Sequence, residues 1–371
     1  MSLYGLPRKE FMDGMKLPLD SVINVGIIGA GYGLTNLLPV LTSMPEYRVA
    51  FFGTQSGLKP DLEFEQPFLK DITFTTPKEL IGNGDIALVV IASPPLTHEE
   101  YAIAALEAGK NIYCEKPVGL NAYSTQRILR ASKDTKLIST IGYQFRFDPM
   151  IQWLKDQIDS GEIGKVNRVK IRWETSGASK TASTSWRNQL NLGGGVLRDF
   201  GSHVFDYLSF IGLMNSSWIF KELEGFGRVT SNISSQDIQD IDFSCVFGSV
   251  ELHCVISRTR SQPIGHDIRI FGSNAEVHIS HMPPFRIEDL KLEIVTKSES
   301  HKNMGQIKVH APNSAGFSMQ NLDGRQLSSR RLFAELAHTI KGGVSKKLPT
   351  LQQALLNQNL VDEVESVLFY N

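Results

Sequence analysis

The chain has 371 residues, of which 41% are hydrophobic and 21% charged, and its formal net charge is -1. This length favours two domains over one, and the balanced charge argues against nucleic acid as a partner, because nucleic-acid binding usually needs a clustered basic excess. The three cysteines, Cys114, Cys245 and Cys254, form no CxxC pair, so they predict buried apolar side chains rather than disulfides or zinc ligands. This cysteine usage favours a cytoplasmic protein.

The chain begins with an N-terminal arm, residues 1–21, which has scattered charges and no apolar core of a secretory signal. No run in the chain approaches the roughly 18 apolar residues of a membrane span, so we expect no membrane partner.

Residues 22–142 alternate short apolar runs with segments of helical spacing, which predicts a doubly wound parallel sheet of the Rossmann type. Strands are predicted at 24–29, 48–52, 72–75, 86–91, 111–114 and 137–141. Helices are predicted at 34–44, 97–109 and 122–132. The helix at 97–109 follows Thr97 and Glu100, a capping-box pair, and ends at Gly109.

Residues 143–371 have a different pattern, with apolar and polar residues alternating at 168–174 as in a sheet with one buried face. Hairpins are predicted at 241–257, through Gly248-Ser249, and at 268–279, through Gly272-Ser273-Asn274; a third is predicted at 290–310. Helices are predicted near 329–343 and from the Thr350 capping box onward, and they are expected to pack back on the first domain. The second domain is therefore predicted to be an α+β unit with a large, mostly antiparallel sheet.

A glycine-rich turn, Gly29-Ala30-Gly31-Tyr32-Gly33-Leu34, joins the first predicted strand to the first helix. Glycines at such a turn let the backbone approach a pyrophosphate at a helix N-terminus, so the turn predicts dinucleotide binding through Gly29, Gly31, Tyr32, Gly33 and Leu34. The alternative interpretation is a tight turn that needs glycine only for its backbone conformation. Leu34 departs from the G-x-G-x-x-G pattern.

The second strand is followed by Thr54 and Gln55, where an acidic residue normally binds the adenosine ribose. The missing carboxylate weakens a strict preference for NAD, and no arginine is present to bind a 2′-phosphate. We therefore expect NAD(P), with a slight preference for NADP.

Two further segments contain candidate catalytic residues. Lys116, in Glu115-Lys116-Pro117, follows a strand at the edge where open α/β sheets bind ligands, although a lysine exposed in a turn is the alternative. In 193–206, Asp199 and His203 are four residues apart, so on a helix they would lie on one face as a proton-handling pair. The alternatives are an amphipathic helix with these residues on its polar face, or a metal site completed by Asp206, which we do not expect because no further ligand has a convincing spacing.

The chain resembles the glucose–fructose oxidoreductase/inositol dehydrogenase family, of the Gfo/Idh/MocA type, from about residue 24 to its end. The resemblance is carried by an ordered set of segments: Gly29-Ala30-Gly31, Ala92-Ser93-Pro94-Pro95 with His98, Ala108-Gly109-Lys110, Glu115-Lys116-Pro117, 142–149, Trp186-Arg187, 193–206 and 270–273.

The resemblance implies hydride transfer between NAD(P) and a hydroxyl-bearing carbon of a sugar, inositol or related polyol. It implies Lys116, Asp199 and His203 as the catalytic set. It adds Ser93, Pro94, His98, Glu115, Lys116 and Gln144 to the cofactor site, and it places Arg146, Trp186 and Arg187 with the catalytic set around the substrate. It also implies a homodimer or homotetramer through the C-terminal sheet.

Two other functions remain open at this level. The first is a non-catalytic dinucleotide- or sugar-binding regulator on the same fold, which would not need the three catalytic residues together. The second is an NAD-dependent glycoside hydrolase, which would show hydrolysis without net turnover of the cofactor.

Overall fold

A computed structural model describes residues 21–60, 69–176, 185–214, 221–232, 235–282, 290–296 and 324–370. The chain divides into two compact units. The first comprises Met1–Tyr143 and Ser329–Gln358, and the second comprises Gln144–Ser328 and Asn359–Asn371. Within the described ranges, no helix is both long enough and apolar enough to cross a bilayer.

The first unit contains a parallel sheet of six strands in the order β3-β2-β1-β4-β5-β6. These strands are β1 (Ile23–Ile28), β2 (Tyr47–Gly53), β3 (Thr73–Thr75), β4 (Leu88–Ile91), β5 (Asn111–Cys114) and β6 (Ser139–Ile141). All four residues of β4 are buried, as expected of a sheet covered by helices on both faces. The predicted doubly wound sheet is confirmed. Its strand order reverses between β1 and β4, the position where such sheets bind ligands.

The second unit contains a sheet of seven strands in the order β13-β12-β11-β7-β10-β9-β8. These strands are β7 (Val166–Glu174), β8 (Lys221–Asn232), β9 (Ser235–Phe247), β10 (Val250–Ser257), β11 (Gly265–Gly272), β12 (Ala275–His281) and β13 (Leu290–Thr296). All neighbours pair antiparallel except β7 and β10. The mostly antiparallel sheet and its first two hairpins are confirmed. In the predicted third hairpin, β13 pairs with β12, and residues 306–310 lie outside the described residues.

Eight α-helices occur within the described residues. In chain order they are α1 (Leu38–Thr42), α2 (Pro77–Gly82), α3 (His98–Glu107), α4 (Ala122–Ser132), α5 (Pro149–Asp159), α6 (Ser202–Phe210), α7 (Gly324–Ile340) and α8 (Leu351–Tyr370). The sequence indicated one helix at 34–44, but this segment is a π-helical turn, Gly33–Leu37, followed by α1. The sequence did not reveal α2 and α5, whose starts are capped by Thr76 and Asp148.

The predicted capping box at the start of α3 is wrong. The chain enters α3 through a 3₁₀ turn, Pro95–Thr97, so the Thr97 backbone is already helical and its hydroxyl donates backward to Ser93 Oγ at 2.7 Å. The capping box at Thr350 is confirmed, because Gln353 N donates to Thr350 Oγ1 at 3.2 Å and Thr350 N donates to Gln353 Oε1 at 3.0 Å.

The C-terminal residues that belong to the first unit are tied to it by long-range hydrogen bonds. Tyr47 Oη donates to the Phe333 carbonyl at 2.7 Å, and Thr140 Oγ1 donates to the Pro349 carbonyl at 2.9 Å. Leu351 lies in the same buried cluster as β4 and β5. The start of α8 therefore contributes to the core beneath the parallel sheet.

One face of the second sheet is buried and the other is charged. Along β7, Val169, Ile171 and Trp173 are at most 2% exposed, whereas Arg168 and Lys170 on the opposite face are exposed. The apolar face packs on α5 and α6, and each large aliphatic side chain buried there contributes about 1.5–3 kcal/mol. This packing positions the N-terminal turn of α6, which contains a candidate catalytic histidine.

The three cysteines are buried free thiols in β5, β9 and β10, as the sequence predicted. Burial raises the pKa of Cys245 to about 12 and also raises the pKa values of Cys114 and Cys254 well above the ordinary value of a thiol, so the three side chains act as apolar core groups.

Candidate active site

The glycine turn after β1 leaves its backbone bare on one side. Gly29 has φ +116°, and a Cβ there would lie 2.4 Å from the Ala92 carbonyl oxygen, so the position requires glycine. A Cβ on Gly33 would lie 3.1 Å from Ile27 Cγ2. At Gly31, by contrast, no heavy atom lies within 4 Å of the place a Cβ would take. The space in front of Gly31 is therefore open.

The same turn has unused hydrogen-bond donors. Within the described residues, the amide N–H groups of Gly31 and Gly33 meet no acceptor, whereas the Gly31 carbonyl accepts from the amides of Leu34 and Thr35 at 3.2 and 3.1 Å. Open space beside unmatched N–H groups fits a dinucleotide pyrophosphate. Tyr32 is half-buried in this turn; the Leu34 side chain is 7% exposed, so only its backbone is placed to take part.

At the end of β2, the two residues predicted to bind the ribose differ in accessibility. Thr54 is 9% exposed, and its hydroxyl donates to the Leu58 carbonyl at 2.8 Å, which holds the turn after the strand. Gln55 is exposed. The turn also exposes Lys59, a cation that the sequence analysis did not single out.

His98, predicted to belong to the cofactor site, holds two loops of the first unit together. The imidazole is 1% exposed, with Nδ1 2.8 Å from the Pro117 carbonyl oxygen and Nε2 2.7 Å from the Ser93 carbonyl oxygen. Burial lowers the pKa of His98, and the two carbonyl contacts oppose that shift. Ser93 is half-buried and Pro94 is exposed, so these two residues remain available at the edge of the sheet.

Lys116 lies just beyond the carboxyl end of β5, as predicted, and is half-buried. Its neighbour Glu115 is 7% exposed and accepts a hydrogen bond from Tyr113 Oη at 2.6 Å and one from the Lys116 amide at 3.3 Å. The Lys116–Pro117 peptide bond is cis. The Glu115 carboxylate thus shapes the turn that presents Lys116, and its predicted role in the cofactor site stays a prediction.

Gln144 opens the second unit in a short 3₁₀ turn, Gln144–Phe147. The residue is 4% exposed, and its Oε1 is buried without a hydrogen-bond partner. Leaving such an acceptor unsatisfied costs about 1–3 kcal/mol, so the amide is suited to a ligand that brings a donor.

Asp199 and His203 lie at the start of α6, in two different kinds of helical turn. Asp199 belongs to a π-helical turn, Leu197–Gly201, and His203 to α6 itself. The imidazole is 3% exposed and meets the Phe145 ring edge-on at a centroid distance of 4.7 Å. The Asp199 carboxylate is 20% exposed. The imidazole is thus shielded by aromatic rings, whereas the carboxylate reaches the surface of this unit.

Arg146, predicted to bind substrate, forms a buried ion pair in the structure, and its contact with substrate stays a prediction. Its Nε and Nη2 donate to the two carboxylate oxygens of Asp206 at 2.8 and 2.6 Å, and both side chains are at most 3% exposed. This bidentate ion pair joins the 3₁₀ turn that contains Phe145 to the helix that contains His203. Arg146 and Asp206 therefore position the histidine, and the pair also explains why Asp206 is not free to complete a metal site.

The glycines of 193–195 leave room for the chain itself. A Cβ on Gly194 would lie 2.3 Å from the Trp186 carbonyl oxygen and 2.6 Å from that of Arg187, and Gly195 N donates to the Arg187 carbonyl at 2.9 Å. The glycines hold a short 3₁₀ turn, Trp186–Asn188, which we call the arginine turn. In this turn the Arg187 guanidinium lies over the Trp186 ring, 4.5 Å from its centroid.

Sequence reasoning missed Arg258, which directly follows β10. Its guanidinium is 5% exposed; Nη1 lies 3.4 Å from Asp199 Oδ2, and Nη2 donates to the Arg187 carbonyl at 3.2 Å. One arginine thus joins a candidate catalytic carboxylate to the arginine turn. The only sequence signal was a basic residue at the end of an apolar strand, which many surface arginines share.

Comparison with known proteins places both units. A family model described as "Oxidoreductase family, NAD-binding Rossmann fold" matches residues 23–143, and the GFO/IDH/MocA C-terminal domain matches residues 151–278. The chain resembles scyllo-inositol 2-dehydrogenase (NAD(+)) of Bacillus subtilis, with 28% identity over 207 residues, which cover 55% of this chain and 58% of that protein.

Levoglucosan dehydrogenase of Pseudarthrobacter phenanthrenivorans is 31% identical over 218 residues, which cover 53% of this chain and 55% of that protein. The chain spans only 51–64% of the length of the first curated relatives it matches.

The crystal structure of an oxidoreductase domain protein from Kribbella flavida superposes with a TM-score of 0.78 at 20% identity, covering 94% of this chain and 97% of that one. At this identity the likeness concerns the fold alone. Together, the open glycine loop on a parallel sheet, the mostly antiparallel sheet of the second unit and the two matched domain models show that the chain belongs to the Gfo/Idh/MocA oxidoreductase family.

Proposed function

We propose that this chain is an NAD(P)-dependent dehydrogenase that transfers a hydride between the nicotinamide and a hydroxyl-bearing carbon of a sugar, inositol or related polyol. The observation that carries the proposal is the glycine loop, where open space at Gly31 adjoins unmatched amide N–H groups. Relatives named inositol and levoglucosan dehydrogenases support the substrate class.

In the proposed reaction, Lys116 Nζ donates a hydrogen bond to the reacting hydroxyl oxygen and stabilises negative charge that develops there. His203 accepts the hydroxyl proton at a ring nitrogen during oxidation and returns it during reduction. Its aromatic surroundings exclude bulk water from the imidazole. A bound nicotinamide supplies the hydride acceptor or donor.

Asp199 orients the hydroxyl-bearing substrate through its carboxylate, and Arg258 holds that carboxylate in place. Gln144 is proposed to accept a hydrogen bond from the cofactor, because its amide oxygen is buried without a partner. On the adenosine side, the segment from Thr54 to Pro60 contains no carboxylate and exposes Lys59, which favours NADP.

The first test is a titration of the purified protein with NADH and with NADPH, following nicotinamide fluorescence. We expect tight binding, with the smaller Kd for NADPH. A smaller Kd for NADH would reverse the cofactor preference and leave the oxidoreductase proposal standing; failure of both to bind would refute the cofactor site.

The second test separates chemistry from binding. Lys116→Ala is expected to lower turnover in a sugar and polyol screen by about 10²–10⁴-fold, because a donor at the reacting oxygen is lost, while the Kd for the dinucleotide stays within twofold. Lys133→Ala, at the exposed end of α4, is the matched control and should keep full turnover. Tight dinucleotide binding with no turnover of any screened substrate by the wild type would favour the regulator over the dehydrogenase.

A further inference from the structure

Three arginines of the second unit are mostly buried and lie close to a carboxylate. One of them, Arg258, is paired differently from the other two. Arg146 and Arg198 each form a bidentate pair with a carboxylate, Arg146 with Asp206 at 2.6 and 2.8 Å, and Arg198 with Glu365 at 2.7 and 2.8 Å. Such short, paired contacts are how a buried guanidinium is ordinarily neutralised.

Arg258 lacks such a partner although its side chain is only 5% exposed. It makes a single 3.4 Å contact with Asp199, a 3.2 Å hydrogen bond to a main-chain carbonyl, and its Nε is buried with no partner. A charge-assisted N–H···O contact is ordinarily about 2.7–2.9 Å, so the Asp199 contact is long. The buried positive charge is therefore only partly matched within the protein.

The arginine turn adds a second cation, for which the described residues provide no counter-charge. The Arg187 guanidinium is half-buried over the Trp186 ring, and no carboxylate pairs with it in the described part of the chain. The acidic groups nearest to Arg258 along the strand ends are taken: Asp240 accepts from Ser257 and Thr259, and Glu174 pairs with Arg172 and Arg260. In the described part of the chain, Asp199 is thus the one carboxylate that contacts either guanidinium, so Arg187 and Arg258 together have an excess of one positive charge.

We propose that the substrate of this enzyme is an anionic sugar or polyol, such as an aldonate or uronate, whose acidic group binds Arg187. This proposal rests on the dehydrogenase function proposed above and specifies its substrate class. Arg258 then acts as a positioning residue: it offsets the charge of Asp199, which would otherwise repel an anion, and it holds the Arg187 carbonyl. The Trp186 ring, against which the Arg187 guanidinium is stacked, limits the rotamers of that side chain, so its donors are organised before the substrate arrives.

The test measures binding rather than turnover, with the protein saturated with its reduced dinucleotide. Matched probes are D-glucuronate and D-gluconate, the neutral sugar D-glucose, and a hexose phosphate, with Kd determined by calorimetry. We expect the carboxylates or the phosphate ester to bind at least tenfold more tightly than glucose, because a charge-assisted hydrogen bond is worth about ten- to hundredfold in Kd. The order of the carboxylates and the phosphate ester identifies which acidic group the site takes.

Variants assign the effect to the arginine turn. Arg187→Gln should raise the Kd for the anionic probe by about ten- to hundredfold, leave the Kd for glucose within twofold, and be partly rescued by Arg187→Lys. Arg260→Gln is the matched control, because Arg260 lies just beyond the end of β10, is 49% exposed and is paired with Glu174. Arg258→Gln should reduce the preference for anions over glucose. Because Arg187 is half-buried, Arg187→Gln should fold even if the variant of the buried Arg258 does not.

Equal affinity for the acids and for glucose, or an equal effect of Arg187→Gln on both, overturns the proposal that the substrate is anionic. If glucose or another neutral polyol is turned over in that case, the dehydrogenase function still stands. If the anion binds but is not turned over, the anion site is supported and the proposed dehydrogenase chemistry is refuted.

Discussion

A glycine-rich turn leads into a helical segment in each unit, Gly29–Gly33 in the first and Gly193–Gly195 in the second. In the first turn, the place a Cβ would occupy at Gly31 is open to 4 Å, whereas in the second, the equivalent space at Gly194 is filled by the main chain of Trp186 and Arg187. The same composition therefore leaves open space in one unit and serves internal packing in the other. What distinguishes them is which atoms come to lie opposite the glycine.

The charged residues of the two units also differ in how far contacts inside the protein match their charges. In the first unit, Lys116 is half-buried at the edge of the parallel sheet. In the second unit, Arg146 and Asp206 neutralise one another in the core, whereas no carboxylate of the described residues pairs with Arg187 in the arginine turn. Breaking a contact inside either unit therefore tests how strongly that unit depends on it.

Removing one partner of the buried ion pair should have the largest effect. Asp206→Ala leaves Arg146 buried without its carboxylate, so we expect the free energy of unfolding to fall by about 3–5 kcal/mol in urea denaturation. Glu251→Ala is the control, because its pair with Arg168 is largely exposed and should change stability by at most about 1 kcal/mol. A loss below 1 kcal/mol for Asp206→Ala would mean that the pair does not hold α6 in place.

Acid should weaken the second unit through His266. Burial lowers the pKa of this residue from 6.5 to about 3, while its ring stacks on Trp173 at a centroid distance of 4.2 Å. Between pH 6.5 and 3, His266 binds a proton in the unfolded chain but stays neutral in the folded protein. The contribution of His266 to the free energy of unfolding is therefore fully present above pH 6.5. Below pH 6.5 the free energy of unfolding falls by up to about 1.4 kcal/mol per pH unit.

The measurement is a series of urea denaturations at decreasing pH on the wild type and on His266→Gln. The variant should show a shallower slope by up to that amount. Identical slopes for the two proteins would show that His266 titrates normally in the folded state.

Filling the second glycine turn should cost less than breaking the ion pair. Gly194→Ala places a methyl group 2.3 Å from the Trp186 carbonyl oxygen, so the arginine turn must shift, at about 1–3 kcal/mol. Gly84→Ala is the matched control, since no heavy atom lies within 4 Å of its Cβ position. Equal melting temperatures for the two variants would contradict the packing described for the arginine turn.

Filling the first glycine turn should barely change stability yet remove ligand binding. Gly31→Val projects into open space, so we expect the free energy of unfolding to change by no more than about 0.5 kcal/mol. The Kd for the dinucleotide should rise by about tenfold or more, because the valine blocks the approach to the amide N–H groups. Normal binding by this variant in the nicotinamide titration would show that the loop does not hold the pyrophosphate.

Much of the fold could be predicted because it depends on local patterns. The continuous apolar run of β4 and the alternation of Val169, Ile171 and Trp173 in β7 each report how many faces of a strand are buried. The sequence also indicated the hairpin at Gly248-Ser249 and the capping box at Thr350. The helix α2 was missed because six residues give little periodic signal, whereas α5 was missed although Asp148 and Pro149 mark its start.

Local patterns in the chain were enough to predict the two kinds of sheet, the glycine loop after the first strand and the chemical nature of the candidate catalytic residues. How those residues are used depends on contacts between distant segments. Arg146 meets Asp206 across 60 positions of the chain, and Arg258 meets Asp199 across 59, so no local pattern records either pairing. Backbone conformation follows from neighbouring residues, whereas the neutralisation of a charge or the filling of a glycine's open side depends on which distant segment packs there.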